Sequence, residues 1–408
     1  MRMQATAAIA GPIEAPRFAA DIVLECARGI AALWVFMFHI EPMLAPWPLL
    51  ATLARYGYQG VPLFFVISGY CMYAAAQNTL GAHRAPASFL KRRLWRIFPP
   101  FWLSVVVVII APYVLEGVSA LKSGAFAAPT PTWTAFTWLD WVGLLTLTKV
   151  FDNPGGDLQA GFSPVNAVYW SLAIEVQFYL VMYASLFFKS AWQKILAWVS
   201  ALCVLATLSS ALNESGLFMK FWPAFILGAL LRAAHRRGWT PAALFGRHEI
   251  ALSLGAALLL GAAVLGVIYS PACSTPLACS SVPNLTFTLA SGVAALALWL
   301  CAGVEHGVTK APWRAKARLA WLLLPFAWLG QSSYSLYLLH GKIYQLPEMV
   351  VRQLIAPSSL AYPLLTIAGT AALCYGFYLL AEKPFHAYAK RVDAAQAPGA
   401  PLAAGART

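Results

Sequence analysis

Ten stretches of this chain are apolar over lengths close to the ~20 residues that a helix needs to cross a bilayer. They lie near 20–41, 59–77, 97–115, 166–188, 192–212, 217–234, 247–268, 284–303, 320–345 and 361–381. Apolar residues make up 60% of the 408 and charged residues 11%, and the mean hydropathy is +0.68, far from an average soluble chain. The expected fold is an all-α, polytopic integral membrane bundle of about ten transmembrane helices, with short loops and no soluble domain. A shorter segment, Trp138 to Phe151, carries Asp140; it reads as interfacial or re-entrant, with an eleventh span as the alternative.

Lys and Arg should concentrate in alternate loops if these spans are placed correctly. Of the 28, 21 fall in one set of loops and tails, five fall in the other (Arg55, Lys122, Lys149, Lys220 and Arg352), and Arg28 and Lys342 lie within spans. Both termini are therefore expected on the cytoplasmic side of a bacterial inner membrane. The net charge of +13 reflects this topology and anionic lipid as a partner. No basic, aromatic-interleaved module points to nucleic acid.

Residues 1–19 read as a cytoplasmic tail without the sustained apolar core of a cleaved signal peptide, so the first span serves as an uncleaved signal. Residues 20–390 form the membrane domain, and 391–408, rich in Ala, Pro and Gly, read as a disordered tail. The seven cysteines show no metal-ligand spacing. Cys273 and Cys279 share a loop on the expected outer side, where a disulfide and two free thiols are equally open.

Ionisable side chains inside a bilayer are costly and usually functional. Arg28 and His39 stand in one apolar run, Ile22 to His39. Eleven residues of helix rise about 16 Å and make nearly three turns, so both side chains leave the same face at different depths. A cation and a general base are expected to look into one space. Glu175 is the only carboxylate deep within a span and away from its ends.

Further signatures follow in order along the chain: Gly60-Val-Pro-Leu-Phe-Phe-Val-Ile-Ser-Gly69, Phe89-Leu-Lys-Arg-Arg-Leu-Trp-Arg-Ile-Phe-Pro-Pro-Phe-Trp102, Trp170-Ser-Leu-Ala-Ile-Glu-Val-Gln-Phe-Tyr-Leu180, Tyr334-Ser-Leu-Tyr-Leu-Leu-His340 and Glu382-Lys-Pro-Phe385. With Arg28-Gly-Ile-Ala-Ala-Leu…His39, this series resembles the membrane-bound acyltransferase-3 family, of the kind that O-acetylates bacterial surface polysaccharides. The likeness runs from about residue 20 to 390. It implies transfer of an acyl group, commonly acetyl from acetyl-CoA, to a hydroxyl of a glycan or other acceptor. Acyl-CoA is then a co-substrate, and no tightly bound cofactor or metal is expected.

The family's Arg-x10-His pair maps onto Arg28 and His39, its Arg-x-x-Arg pair onto Arg93 and Arg96, its WSL-x-x-E glutamate onto Glu175 and its late histidine onto His340. Two positions depart from the pattern. Glu25-Cys26-Ala27 replaces an Asp-Gly-type sequence, and Pro62 replaces a common acidic residue.

Each residue has a functional and a structural reading. Neutral imidazole at His39 suits removal of a hydroxyl proton, or else bonds within a helix interface. Glu175 either orients that imidazole or partners a buried cation or hydroxyl. Arg28 either binds donor phosphate and polarises the thioester carbonyl or pairs with Glu25. The guanidinium forks of Arg93 and Arg96 suit the phosphates of CoA, although basic residues are expected in that loop anyway. His340 either binds the acceptor or packs. Ser68 and Gly69 would admit a close neighbour helix or a substrate arm, and Glu382 either pairs with Lys383 or the Arg93 region or is a solvated end charge. A glycan or lipid-linked saccharide flippase is the competing class, but no inverted repeat or pair of broken helices supports it.

Overall fold

A computed structural model describes residues 22–153, 156–206, 212, 214–268, 283–310 and 323–395. The tails 1–19 and 396–408, and Cys273 and Cys279, lie outside the described residues. Among the described residues the regular structure is helical, without strands. In order come α1 (Ile22–His39), α2 (Pro48–Arg55), α3 (Gly60–Gly81), α4 (Pro86–Ser123), α5 (Trp138–Leu145), α6 (Tyr169–Leu186) and α7 (Trp192–Ala206). They continue as α8 (Trp222–Arg236), α9 (Pro241–Phe245), α10 (Glu249–Ile268), α11 (Pro283–Lys310), α12 (Ser333–Ile343), α13 (Gln345–Leu354), α14 (Ala361–Phe377) and α15 (Lys383–Ala395).

Among the described residues, four helices are long and apolar enough to cross a membrane: Ile22–His39, Gly57–Gly81, Pro86–Leu121 and Ala361–Ala389. A bent pair, 241–248 with 251–259, makes a fifth if it counts as one span. The expectation of ten spans is therefore met only in part, for physical reasons that differ between helices. Helix α6 has 18 residues, but Glu175, Gln177 and three tyrosines dilute its apolar character. Helix α8 has 15 residues, about 22 Å of rise against a hydrocarbon core of ~30 Å, and α7 is described over the 15 residues up to Ala206.

Segment 138–151 does not form an eleventh span. Its α-helix has eight residues, about 12 Å of rise. A reciprocal cap between Thr137 and Asp140 starts that helix, and the Lys149 ammonium pairs with both Asp140 and Asp152. At the other end of the chain, α15 runs through Ala395, past the boundary expected at 390.

Helix α4 starts on Pro86, where a missing N–H costs nothing, and carries Pro99, Pro100 and Pro112 within its 38 residues. Its Leu103, Val106 and Ile110 are exposed, as are Leu364, Leu365 and Leu380 of the C-terminal helices. Such apolar faces suit lipid. Inside the bundle, α3 packs against α1, α4, α6, α8 and α11. Contact with α8 is backbone to backbone: a Cβ on Gly69 would stand 1.9 Å from the Phe225 carbonyl oxygen, and one on Gly228 1.8 Å from that of Val66. Small residues are what let membrane helices approach this closely.

Between α14 and α15, residues 378–382 make a π-helical turn, a form that often marks functional positions. It places Glu382, 1% exposed, against the start of α12, where the carboxylate accepts bonds from the Ser335 backbone N–H and hydroxyl. Helix α12 has no side-chain cap from Ser332. A buried carboxylate from a distant helix thus satisfies its N-terminus and complements its dipole.

Candidate active site

Helices α1, α3, α4, α6 and α12 enclose a cavity of about 80 Å3. By this measure it has room for roughly five to eight water-sized groups. Arg28, Ser68, Cys71, Arg96, Ser171, Glu175, Tyr179, Tyr334 and Tyr337 supply its polar lining, and Phe64, Phe65 and Ile97 are among its apolar walls.

The Arg28 guanidinium donates to Glu25 Oε1 at 2.9 Å and lies 3.1 Å from Cys71 Sγ. It is also within electrostatic reach of Glu175. The i,i+3 pairing with Glu25 leaves Arg28 on the cavity wall, so ion pairing and a role in the cavity coexist. Glu175 Oε1 accepts hydroxyl bonds from Ser68 at 2.9 Å and Tyr179 at 2.6 Å, and Oε2 has no hydrogen-bond partner among the described residues. The Ser68 bond ties α6 to α3.

The two arginines of the Arg-x-x-Arg pair divide. Arg96 lines the cavity, while Arg93 sits over the Phe89 ring at 5.8 Å, within electrostatic reach of Tyr179. Arg92, between them and Ser88, donates to the Thr79 hydroxyl and the Ser88 carbonyl and so ties α4 to α3.

His39 is not among the cavity-lining residues. Its ring lies beside that of His340, with centroids 4.8 Å apart and planes at 65°. His340 is fully buried on α12, and Phe36 and Tyr337 are its other ring neighbours. The expectation that Arg28 and His39 look into one space is thus corrected. About 16 Å of helix separates Arg28 from His39, and Tyr337, which lines the cavity and lies 6.0 Å from the His340 ring, stands between the cavity and the pair of imidazoles.

Glu175 likewise takes the level of Arg28, not that of His39. Its described hydrogen bonds go to Ser68 and Tyr179 and none goes to His39. For Glu382, the Lys383 and solvated readings give way to the buried cap on α12, with His386 3.8 Å away and Arg96, of the Arg93 region, within electrostatic reach. Pro62 is buried in the first turn of α3, where its missing N–H interrupts no helical bond.

The family model for the acyltransferase-3 domain matches residues 21–382. The chain belongs to the acyltransferase-3 family. Among curated proteins, this acyltransferase is 27% identical over 289 residues to the exopolysaccharide production protein ExoZ of Rhizobium meliloti (strain 1021), covering 70% of this chain and 75% of that protein. It is 29% identical over 171 residues to the peptidoglycan O-acetyltransferase OatA of Listeria monocytogenes serovar 1/2a, covering 41% of this chain and 24% of OatA. No solved structure matches it. The chain is an integral membrane O-acyltransferase.

Several polar contacts in and around the cavity carry no motif in the sequence. Tyr179 follows Glu175 by four residues, a spacing that on a helix signals contact, and Tyr337 follows Tyr334 by three. Tyr337 bonds the Ser171 hydroxyl and the Val168 carbonyl, and Tyr334 donates to the Ile97 carbonyl at 2.9 Å, so α12 is stitched to α6 and α4. Tyr70 receives a bond from Arg232, whose guanidinium also lies 5.2 Å from its ring, and meets His235 Nδ1 at 3.3 Å. No local spacing joins Tyr70 to α8; Gly69 was the available signal.

Proposed function

We propose that this acyltransferase moves an acyl group, acetyl in the first instance, from acyl-CoA to a hydroxyl of a cell-surface or exported glycan. The observation that carries the reading is the small cavity where Arg28 and Arg96 converge with Glu175 inside an apolar bundle. Its volume suits a short acyl group and its thioester, and fixed guanidinium donors are most valuable where carbonyl charge develops away from water. The names of the two relatives, concerning exopolysaccharide production and peptidoglycan O-acetylation, supply the acceptor class.

In this reading the CoA phosphates dock at Arg93 and Arg96 on the cytoplasmic side of a bacterial inner membrane, with both termini on that side. The thioester end reaches past Arg28 to the end of the cavity where Tyr337 borders His340, and the acceptor enters from the His39 side to meet it there. His39 takes the hydroxyl proton as the oxygen attacks the thioester carbonyl; the carbon–sulfur bond breaks, and the departing thiolate receives that proton. Purified protein in nanodiscs, given acetyl-CoA labelled in the acetyl group and a hydroxyl-bearing glycan, is expected to label the glycan. Movement of the glycan across vesicle membranes without any labelling would replace transfer by transport.

A further inference from the structure

We propose that His340 is the hydrogen-bond acceptor that holds His39 in the tautomer able to act as a base, an inference that rests on the transfer reading above. His340 Nδ1 lies 2.9 Å from the Leu336 carbonyl oxygen and 3.0 Å from that of Tyr337. Carbonyl oxygens only accept, so Nδ1 carries the proton, and in the neutral ring Nε2 holds a bare lone pair. That Nε2 is buried and has no partner among the described residues.

A buried acceptor without a donor is costly and calls for an explanation. Three rings surround His340: Phe36 at 5.8 Å, Tyr337 at 6.0 Å and His39 at 4.8 Å between centroids. Phenylalanine offers no donor, and the Tyr337 hydroxyl is engaged with Ser171 and Val168. Among these rings the N–H of His39 is the donor that remains, and catalytic hydrogen bonds often close fully only when substrate is bound.

Donation from one His39 nitrogen to His340 Nε2 leaves the other His39 nitrogen unprotonated, ready for the acceptor hydroxyl. When that nitrogen takes the proton, the first N–H still rests on His340, which remains neutral throughout. The proton then passes from His39 to the departing CoA thiolate, and both rings return to their starting state. A neutral imidazole fixes the tautomer as a carboxylate would, without a second charge in an apolar setting.

The helix that carries His340 is held at several points. Glu382 binds Ser335 at its start, and the buried Asn166 amide donates to the Leu338 carbonyl at 2.9 Å. His340 acts through His39 and is a positioning residue.

The contrast between His340→Gln and His340→Asn tests this. A glutamine places its amide oxygen near the position of Nε2, whereas an asparagine places its amide near Nδ1 and restores only the bond to the helix carbonyls. We expect His340→Asn to lower kcat by about 100-fold, within the range for impaired general base catalysis, with KM for acetyl-CoA within about twofold. His340→Gln should stay within about tenfold of the wild type in kcat, and His340→Asn combined with His39→Ala should cost nothing beyond His39→Ala alone. Asparagine at least as active as glutamine, or a further loss in the double variant, would overturn the proposal. If the wild type itself transfers no acyl group, the function reading has failed instead.

Discussion

The two ends of α1 are built from opposite materials. Around Arg28 the structure gathers two guanidiniums, two carboxylates, hydroxyls and a thiol about an open cavity. Around His39 it packs an imidazole against another imidazole and Phe38, with no carboxylate hydrogen-bonded to either ring among the described residues. A charged cavity stabilises developing charge on a bound group, whereas a neutral, tightly packed pair fixes the direction of a proton. In the proposed mechanism, the spacing of Arg28 and His39 separates two tasks along one helix.

The largest expected effects test this division directly. His39→Ala should lower kcat by about 10³, the scale of a lost general base, while folded protein and the KM for acetyl-CoA remain near wild type. Arg28→Lys keeps the charge and loses the fork that spans Glu25 and Cys71. It should raise the KM for acetyl-CoA by about tenfold and lower kcat as well, because Arg28 both holds the donor and meets the charge that develops on its carbonyl. The same pattern of kcat and KM in both variants would mean that the two ends do one job, and the comparison would fall.

Glu382 offers a smaller effect that should reach both ends. Helix α12 carries Tyr334 and Tyr337 into the cavity wall and His340 to His39, and its N-terminus rests on the Glu382 carboxylate. Glu382→Gln retains an acceptor but loses the charge, at about 1–2 kcal/mol for a charge-assisted bond. Thermal unfolding in detergent should shift down, and kcat and KM should each worsen by about threefold. A change confined to KM would show that α12 serves only the cavity.

Part of this arrangement was legible in the chain. The apolar runs gave helices, Glu25 and Arg28 paired at a spacing that predicts pairing, and Ser68-Gly69 admitted a close neighbour. What was hidden depends on contacts far apart in sequence. Ser68 and Glu175 meet across 107 residues, and Glu382 and Ser335 across 47. Depth along a helix was also a poor guide to partners: equal rise from different starting points does not put two side chains at one level once helices tilt and kink, as the three internal prolines of α4 allow. Apolar length and composition alone leave the expected span at α6 unconfirmed, because polar residues that line the cavity, Glu175 above all, are the ones that lower hydropathy.

The smallest effect belongs to a place that serves neither end. Asp140 caps α5 and receives the Lys149 ammonium at 2.6 Å, and this ammonium together with the Thr137 hydroxyl and N–H holds its carboxyl well below the usual range. A carboxyl whose folded pKa is depressed contributes stability that is fully present above its unfolded value of about 3.9 and is lost as pH falls through the folded value. Asp140→Asn should therefore unfold at a slightly lower temperature than the wild type at pH 7, and the gap should narrow as the pH is brought below about 4. Turnover at pH 7 should be unchanged, since neither Asp140 nor Lys149 lines the cavity or touches the imidazole pair. A loss of turnover without a shift in unfolding temperature would make the loop around α5 part of the acceptor path, and the molecule would then have three working regions along the reaction coordinate instead of two.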